Sequence, residues 1–214
     1  ALERLEEVKY PESWADAPVE EEKAEEEDEE RPEFVRKVAD VMNAQQGDKL
    51  PVSAFTPGGF FPPATTQYEK RGIAINVPEW IPDNCIQCNQ CAFVCPHAAI
   101  RPFLLTKEEA EKAPEGYKGI RAVGRGLEDF EFRIQVSVLD CTGCGNCADI
   151  CPGRKGEKAL VMKPLATQVE KQVPLWNYIT KLPVKKLEMN KYSVKGSQFI
   201  KPLLEFSGAC AGCG

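Results

Sequence analysis

Ten cysteines stand in this chain of 214 residues, and their spacing carries its chemistry. Eight fall in two runs, Cys85-x2-Cys88-x2-Cys91-x3-Cys95-Pro96 and Cys141-x2-Cys144-x2-Cys147-x3-Cys151-Pro152. The remaining two, Cys210 and Cys213, form a lone CAGC. Residues 85–96 (CIQCNQCAFVCP) and 141–152 (CTGCGNCADICP) agree at six of twelve positions at an offset of 56, which predicts two similar sites related by a pseudo-twofold axis. Two-residue spacers let a tight loop set three thiolates around one face of a cubane iron–sulfur cluster, with loop N–H groups turned inward. The fourth thiolate has to come from farther away. Pro96 and Pro152 end each helical turn, because proline cannot extend the hydrogen-bond ladder. Structural zinc takes two CxxC pairs or mixed Cys/His sets, so two complete four-cysteine runs suit it poorly. The CAGC has two thiolates and no partners. It reads as a reduced thiol pair, as a thioredoxin-like pair without the expected βαβ context, or as half of a third site whose other ligands lie beyond residue 214.

Each run resembles that of the bacterial ferredoxins, where the fourth cysteine of each run serves the other cluster. The resemblance implies two [4Fe–4S] clusters, one on Cys85, Cys88, Cys91 and Cys151, the other on Cys141, Cys144, Cys147 and Cys95. Such crossing staples both halves into one fold and brings the clusters close together, as electron transfer needs. Gly143 and Gly145 are expected to let backbone approach a cluster, to serve turns, or both. Phe93, Val94 and Ile150 are expected to pack over the clusters and exclude water. His97, the only histidine, is expected in a structural or surface role, since the eight cysteines already complete both sites.

The elements that must position these loops are short. Pro32 followed by Phe34, Val35, Val38, Val41 and Met42 predicts an amphipathic helix over 33–46, ended near Gly47. Residues 47–84 are rich in Pro and Gly and predict sparse regular structure, with a short strand within 73–81. Strands are expected at 99–105, interrupted by Pro102, at 130–139, where FEFRIQVSVL alternates apolar and polar, and at 159–162. Helical turns are expected at 107–112 and on either side of Pro174 within 166–181. The predicted fold class is α+β: a bacterial two-[4Fe–4S] ferredoxin-like module with extended, largely irregular flanking segments. Its expected parts are an acidic linker (1–32), a helix plus irregular segment (33–72), the two-cluster domain (73–165, with a surface insertion at 106–129), and a connector running into a truncated further domain (166–214). Residues 1–65 and 166–214 are expected to wrap other domains of a larger parent. Losing the clusters should cost the small core much of its stability, because ligation is linked to folding.

Composition sets the outer bounds. Net charge is −6, but residues 1–33 hold fifteen acids and four bases, whereas 153–201 hold three acids and eleven bases. The Glu20–Glu30 run repels itself and reads as a solvated segment. No apolar run approaches the roughly 20 residues of a membrane-spanning helix, and the N-terminus lacks a basic-then-apolar signal pattern. A cytoplasmic protein without membrane or nucleic-acid partners is expected; the missing initial Met points to processing or to a piece of a longer chain. Ten cysteines in a reducing compartment point to metal or redox roles rather than disulfides.

The stretch TTQYEKRGIAINVPEWIPDNCIQCNQCAFVCPHAAIRPFLLT (66–106) resembles the pyruvate:ferredoxin oxidoreductase family, Glu69-Lys70-Arg71 matching its EKR segment. So do 34–55, YPESWADA (10–17) and FSGACAGCG (206–214), the last like the opening of that family's thiamine-diphosphate domain. The resemblance implies oxidative decarboxylation of pyruvate to acetyl-CoA and CO2 in a parent enzyme, a homodimer with thiamine diphosphate and Mg2+. Electrons would leave through a third [4Fe–4S] cluster, with Cys210 and Cys213 as two of its ligands. They would then pass through the two ferredoxin-like clusters to an external ferredoxin or flavodoxin. The chain lacks the family's thiamine, pyruvate and coenzyme A sites, so it is expected to be the wire of that enzyme and to hold no catalytic residue. The alternatives are a stand-alone ferredoxin-like subunit of another redox complex and a zinc-stapled interaction module. The basic stretch at 153–201, with Lys185 and Lys186, either docks an acidic redox partner or faces solvent and other domains.

Overall fold

The computed structural model describes residues 9–16 and 31–201. Cys210, Cys213 and the acidic run lie outside the described residues. Two small antiparallel sheets form the frame. Strands β1 (Asn76–Trp80) and β5 (Leu160–Pro164) make a two-stranded ribbon, with Pro78 opposite Met162 and Trp80 opposite Leu160. Strands β2 (Ile100–Leu105), β3 (Ile120–Arg121) and β4 (Glu131–Val136) make the second sheet in the order β2-β4-β3. Pro102 sits on the edge strand, where its missing N–H costs no ladder bond. β4 is buried at nearly every position, because the sheet is covered on both faces.

Helices are short except for one. Helical residues Val35–Ala39, wound with i→i+5 bonding, continue into α1 (Asp40–Asn43). α2 (Gln90–Phe93) and α4 (Asn146–Ile150) are single turns inside the cysteine runs and pack against one another. α3 (Lys107–Glu111) begins with a reciprocal capping box between Thr106 and Glu109. α5 (Val169–Ile179) passes through Pro174 unbroken; the proline lies on the exposed face, where the carbonyl it leaves unbonded can meet water. α6 (Val194–Ser197) is a capped turn near the end of the described chain.

The core gathers between the sheets and α5, around Val77, Leu105, Leu127, Phe132 and Val136, with Leu175, Trp176 and Ile179 of α5 buried on it. A polar seam crosses it. Gln172 Nε2 of α5 donates to Pro78 O of β1 (3.1 Å), and Gln135 Nε2 of β4 donates to Gln172 (3.3 Å). Helix and both sheets are thereby tied at one point.

Two expectations change here. The 106–129 insertion does not simply lie on the surface: it supplies β3, and Ala122 and Leu127 enter the core. Residues 166–181 are packed into the core through α5 rather than held out for other domains. The segment with Lys70 docks onto the second cysteine run. Lys70 Nζ pairs with Asp140, and Gly72 N–H donates to Leu139 O (2.9 Å), immediately before Cys141.

Candidate metal centres

Each cysteine run holds two left-handed residues among its first three ligands, because a loop this tight must reverse its backbone between them. In the first run these are Gln87 (φ 58°) and Asn89 (φ 62°); in the second they are Gly143 (φ 73°) and Gly145 (φ 83°), at the same offset of 56. The turn aims backbone N–H groups at sulfur. Gln87 N–H donates to Cys85 Sγ and Gly143 N–H to Cys141 Sγ, each at 3.4 Å. Ala159 N–H, after the second run, donates to Cys151 Sγ at 3.4 Å.

The eight cysteines wall two cavities. One, with about 330 Å3 of atom-free space, is lined by Cys85, Cys88, Cys91 and Cys151 together with Trp80, Ile134 and Leu160. The other, with about 400 Å3, is lined by Cys141, Cys144, Cys147 and Cys95 together with Pro78, Val136 and Met162. Each therefore receives three sulfurs from one run and one from the other. The β1–β5 ribbon floors both: its Trp80–Leu160 pair lies at the first site, its Pro78–Met162 pair at the second. His97 lines the second cavity.

Burial raises the thiol pKa at both sites, at Cys85, Cys91 and Cys141 and, to about 12, at Cys147. Thiol–disulfide chemistry needs the opposite shift. Ligation would release those protons and let the thiolates share their charge with metal. Among the described residues no three His, Cys, Asp or Glu side chains close on a point a single ion could occupy. The sulfurs stand around a space, as a polynuclear centre requires. Soft thiolate donors, apolar walls and N–H groups turned to sulfur suit an iron–sulfur cluster. A further sign is the indole Nε1 of Trp80, buried without a hydrogen-bond partner and lying toward Cys85, whose pKa it draws down against the larger effect of burial.

The family comparisons agree. A family model for a 4Fe–4S dicluster domain matches residues 78–152. The chain carries a 4Fe–4S dicluster domain. The cofactors of that domain are two [4Fe–4S] clusters. A second family model, described as a domain of unknown function and named EKR, matches residues 20–74 ahead of the dicluster domain. The whole chain is 57% identical to a pyruvate:ferredoxin oxidoreductase of Moorella thermoacetica, covering 18% of that protein. Over 86% of its length it is 57% identical to a pyruvate-flavodoxin oxidoreductase of Enterobacter agglomerans and 52% identical to one of Klebsiella pneumoniae, covering 15% of each. The chain is thus homologous to a segment of these oxidoreductases and spans less than a fifth of their length.

Not every residue expected to pack over the clusters is buried. Phe93 is 59% exposed and Ile150 44% exposed, so neither seals its site; Val94 is half-buried. Phe93 follows Cys91 by two residues in a helical turn, about 200° around it, and so points away when the ligand points in. Lys185 is paired with Glu109 and mostly buried, leaving only Lys186 of that pair exposed for docking.

The sequence reading missed four residues around the first site. Gln87 closes both ends of its amide on the insertion, donating to Arg121 O (2.8 Å) and accepting from Val123 N (2.8 Å). Asn89 Nδ2 donates to Lys195 O (2.9 Å), and Lys195 Nζ donates to Val123 O (2.6 Å). Trp80 is the fourth. The signal was in the repeat: left-handed positions filled by glycine in one run and by amides in the other.

Proposed function

We propose that this chain is the electron-relay segment of an enzyme that oxidatively decarboxylates pyruvate to acetyl-CoA and CO2, with ferredoxin or flavodoxin as acceptor. The observation that carries the reading is the pair of four-cysteine cavities within a chain 57% identical, end to end, to a pyruvate:ferredoxin oxidoreductase segment. Cys85, Cys88, Cys91 and Cys151 hold one cluster (site 1), and Cys141, Cys144, Cys147 and Cys95 the other (site 2). A bound [4Fe–4S] cluster supplies reversible one-electron transfer. The chain's own residues fix the sulfurs, turn N–H groups to them and keep bulk water from the inner walls. Cys210 and Cys213 are two ligands of a third [4Fe–4S] cluster, and the parent also carries thiamine diphosphate and Mg2+. The segment alone moves electrons and does not decarboxylate pyruvate.

The arrangement is read as α+β, with the dicluster unit at 73–165, an acidic linker at 1–32, a helix and EKR segment at 33–72, and a connector at 166–214. The parent is a cytoplasmic homodimer. Among the described residues no helix is long and apolar enough to cross a membrane.

Paired cysteine substitutions test the crossed ligation. Cys85→Ser with Cys151→Ser removes two ligands from one site and leaves the other whole, so one cluster remains by iron and sulfide count and by EPR after dithionite reduction. Cys147→Ser with Cys151→Ser damages both sites. If that second pair keeps a full cluster while the first loses both, the ligand sets are uncrossed and the assignment is wrong. Wild-type chain that takes up zinc and shows no iron–sulfur EPR signal would sink the relay reading itself.

A further inference from the structure

Site 1 is the more enclosed of the two. Cys85, Cys91 and Cys151 are buried and Cys88 half-buried, whereas at site 2 only Cys147 is buried and Cys144 is exposed. Burial alone disfavours the more negative, reduced form of a cluster, so by itself it would push the potential of site 1 down.

Yet site 1 also collects donors and positive charge that site 2 lacks. The buried indole N–H of Trp80, which lines site 1 together with Cys85, has no hydrogen-bond partner. The position at the repeat offset from Trp80 is Val136, which lines site 2 and has no side-chain N–H to offer. Lys195 sits beside the first cysteine run: its carbonyl accepts from Asn89, which lines site 1, and its ammonium bears electrostatically on Cys85 and Cys88. Its place is held from three directions. Its Nζ is tied to Val123 O, its own carbonyl is tied to Asn89 between two ligands, and Gln87 clamps the Arg121–Val123 strip that supports it. Behind Trp80, the buried guanidinium of Arg133 lies over the indole ring at 5.6 Å. Beside site 2 the acid Asp140 bears on Cys141 and is paired with Lys70, so no comparable net positive charge arises there.

We propose that Lys195 and Trp80 set the potential of the site 1 cluster, offsetting the electrostatic cost of its burial. The proposal rests on the two-cluster reading above. The step concerned is addition of one electron, supplied here by dithionite, which makes the cluster more negative by one charge. Neither Lys195 nor Trp80 gains or loses a proton or a bond; each stabilises the added charge from a fixed place. Lys195 arrives on α6, so the seating of α6 and the potential of site 1 are linked.

The test is an anaerobic redox titration of the cluster-loaded chain followed by EPR, with iron and sulfide counted first. Lys195→Met is expected to lower one midpoint so that the reduced-to-oxidised ratio at fixed potential falls about tenfold, a shift of about 59 mV for one electron. The other midpoint stays put. Lys195→Arg retains the wild-type value, and Trp80→Phe lowers the same midpoint as Lys195→Met. Fully loaded variants with unchanged midpoints, or with both midpoints moved equally, overturn the proposal. Should Lys195→Met fail to load, the Trp80→Phe titration decides alone. A wild-type chain that never takes up two clusters refutes the relay reading instead, so the two failures are distinguishable.

Discussion

Gly143 and Gly145 look interchangeable in sequence, yet alanine should be far worse at the first. Both are left-handed, at φ 73° and 83°. A side chain in that region costs about 1–2 kcal/mol. At Gly145 that is the whole effect, because nothing lies within 4 Å of an added Cβ. At Gly143 the added Cβ would stand 2.8 Å from Asn76 O and 3.1 Å from the Ala74 Cβ. The backbone of β1 cannot swing aside as a long side chain can, so overpacking adds about 1–3 kcal/mol. The difference between the two variants is therefore about 1–3 kcal/mol, a large share of a total stability of roughly 5–15 kcal/mol. With a urea slope of about 1–3 kcal/mol/M, Gly143→Ala should unfold roughly 1 M earlier than Gly145→Ala. Circular dichroism under anaerobic conditions measures this, while visible absorption and iron count follow the clusters. The iron lost first should be that of the Cys141 loop. Equal midpoints for the two variants would refute the claim that β1 closes on this loop.

Two further outcomes follow from the packing. Gln172→Ala strips the partner from Pro78 O inside the core, a loss costing about 1–3 kcal/mol, while Gln135 Nε2 keeps the backbone carbonyls of residues 172 and 136; a clear fall in urea midpoint is expected, and an unchanged one would remove the seam from the account of stability. Thr106→Ala abolishes the capping box of α3 and should cost about 1 kcal/mol in thermal unfolding, with iron content and both midpoint potentials unaltered because α3 lines neither site.

How far the sequence could be read depended on whether the information was local. The alternation in FEFRIQVSVL located β4, and the Thr106–Glu109 spacing of a capping box lay in plain view. β3 escaped notice because two residues, Ile120 and Arg121, carry no period, and they are a strand only through pairing with β4. Helical turns were expected on either side of Pro174; a single helix runs through it, because Leu175, Trp176 and Ile179 anchor it on the core while the proline faces outward. The cover of site 1 was illegible for a different reason. Asn89 and Lys195 are 106 residues apart, and Gln87 and Val123 are 36 apart. No window along the chain holds both partners.

The repeat still carried a trace of that cover, and energies explain its form. The turn requires two left-handed residues in each run. Glycine meets the requirement without strain, and at Gly143 the approach of Asn76 leaves no room for anything larger. The first run uses Gln87 and Asn89 instead, at a cost of about 1–2 kcal/mol each. Three hydrogen bonds, to Arg121 O, from Val123 N and to Lys195 O, return about 0.5–1.5 kcal/mol apiece. The buried Oδ1 of Asn89 has no partner and adds a cost of about 1–3 kcal/mol, so the amides bring no net stability over glycine. Their consequence is positional: they hold the insertion and α6 over one site and leave the other open. Replacing both by glycine should therefore change fold stability little while loosening Lys195 from site 1, and the redox titration would register a falling midpoint where the urea curve registers almost nothing. A pair of glycines that lowered stability by several kcal/mol and left both midpoints in place would reverse that assignment, making the amides structural and the cover incidental.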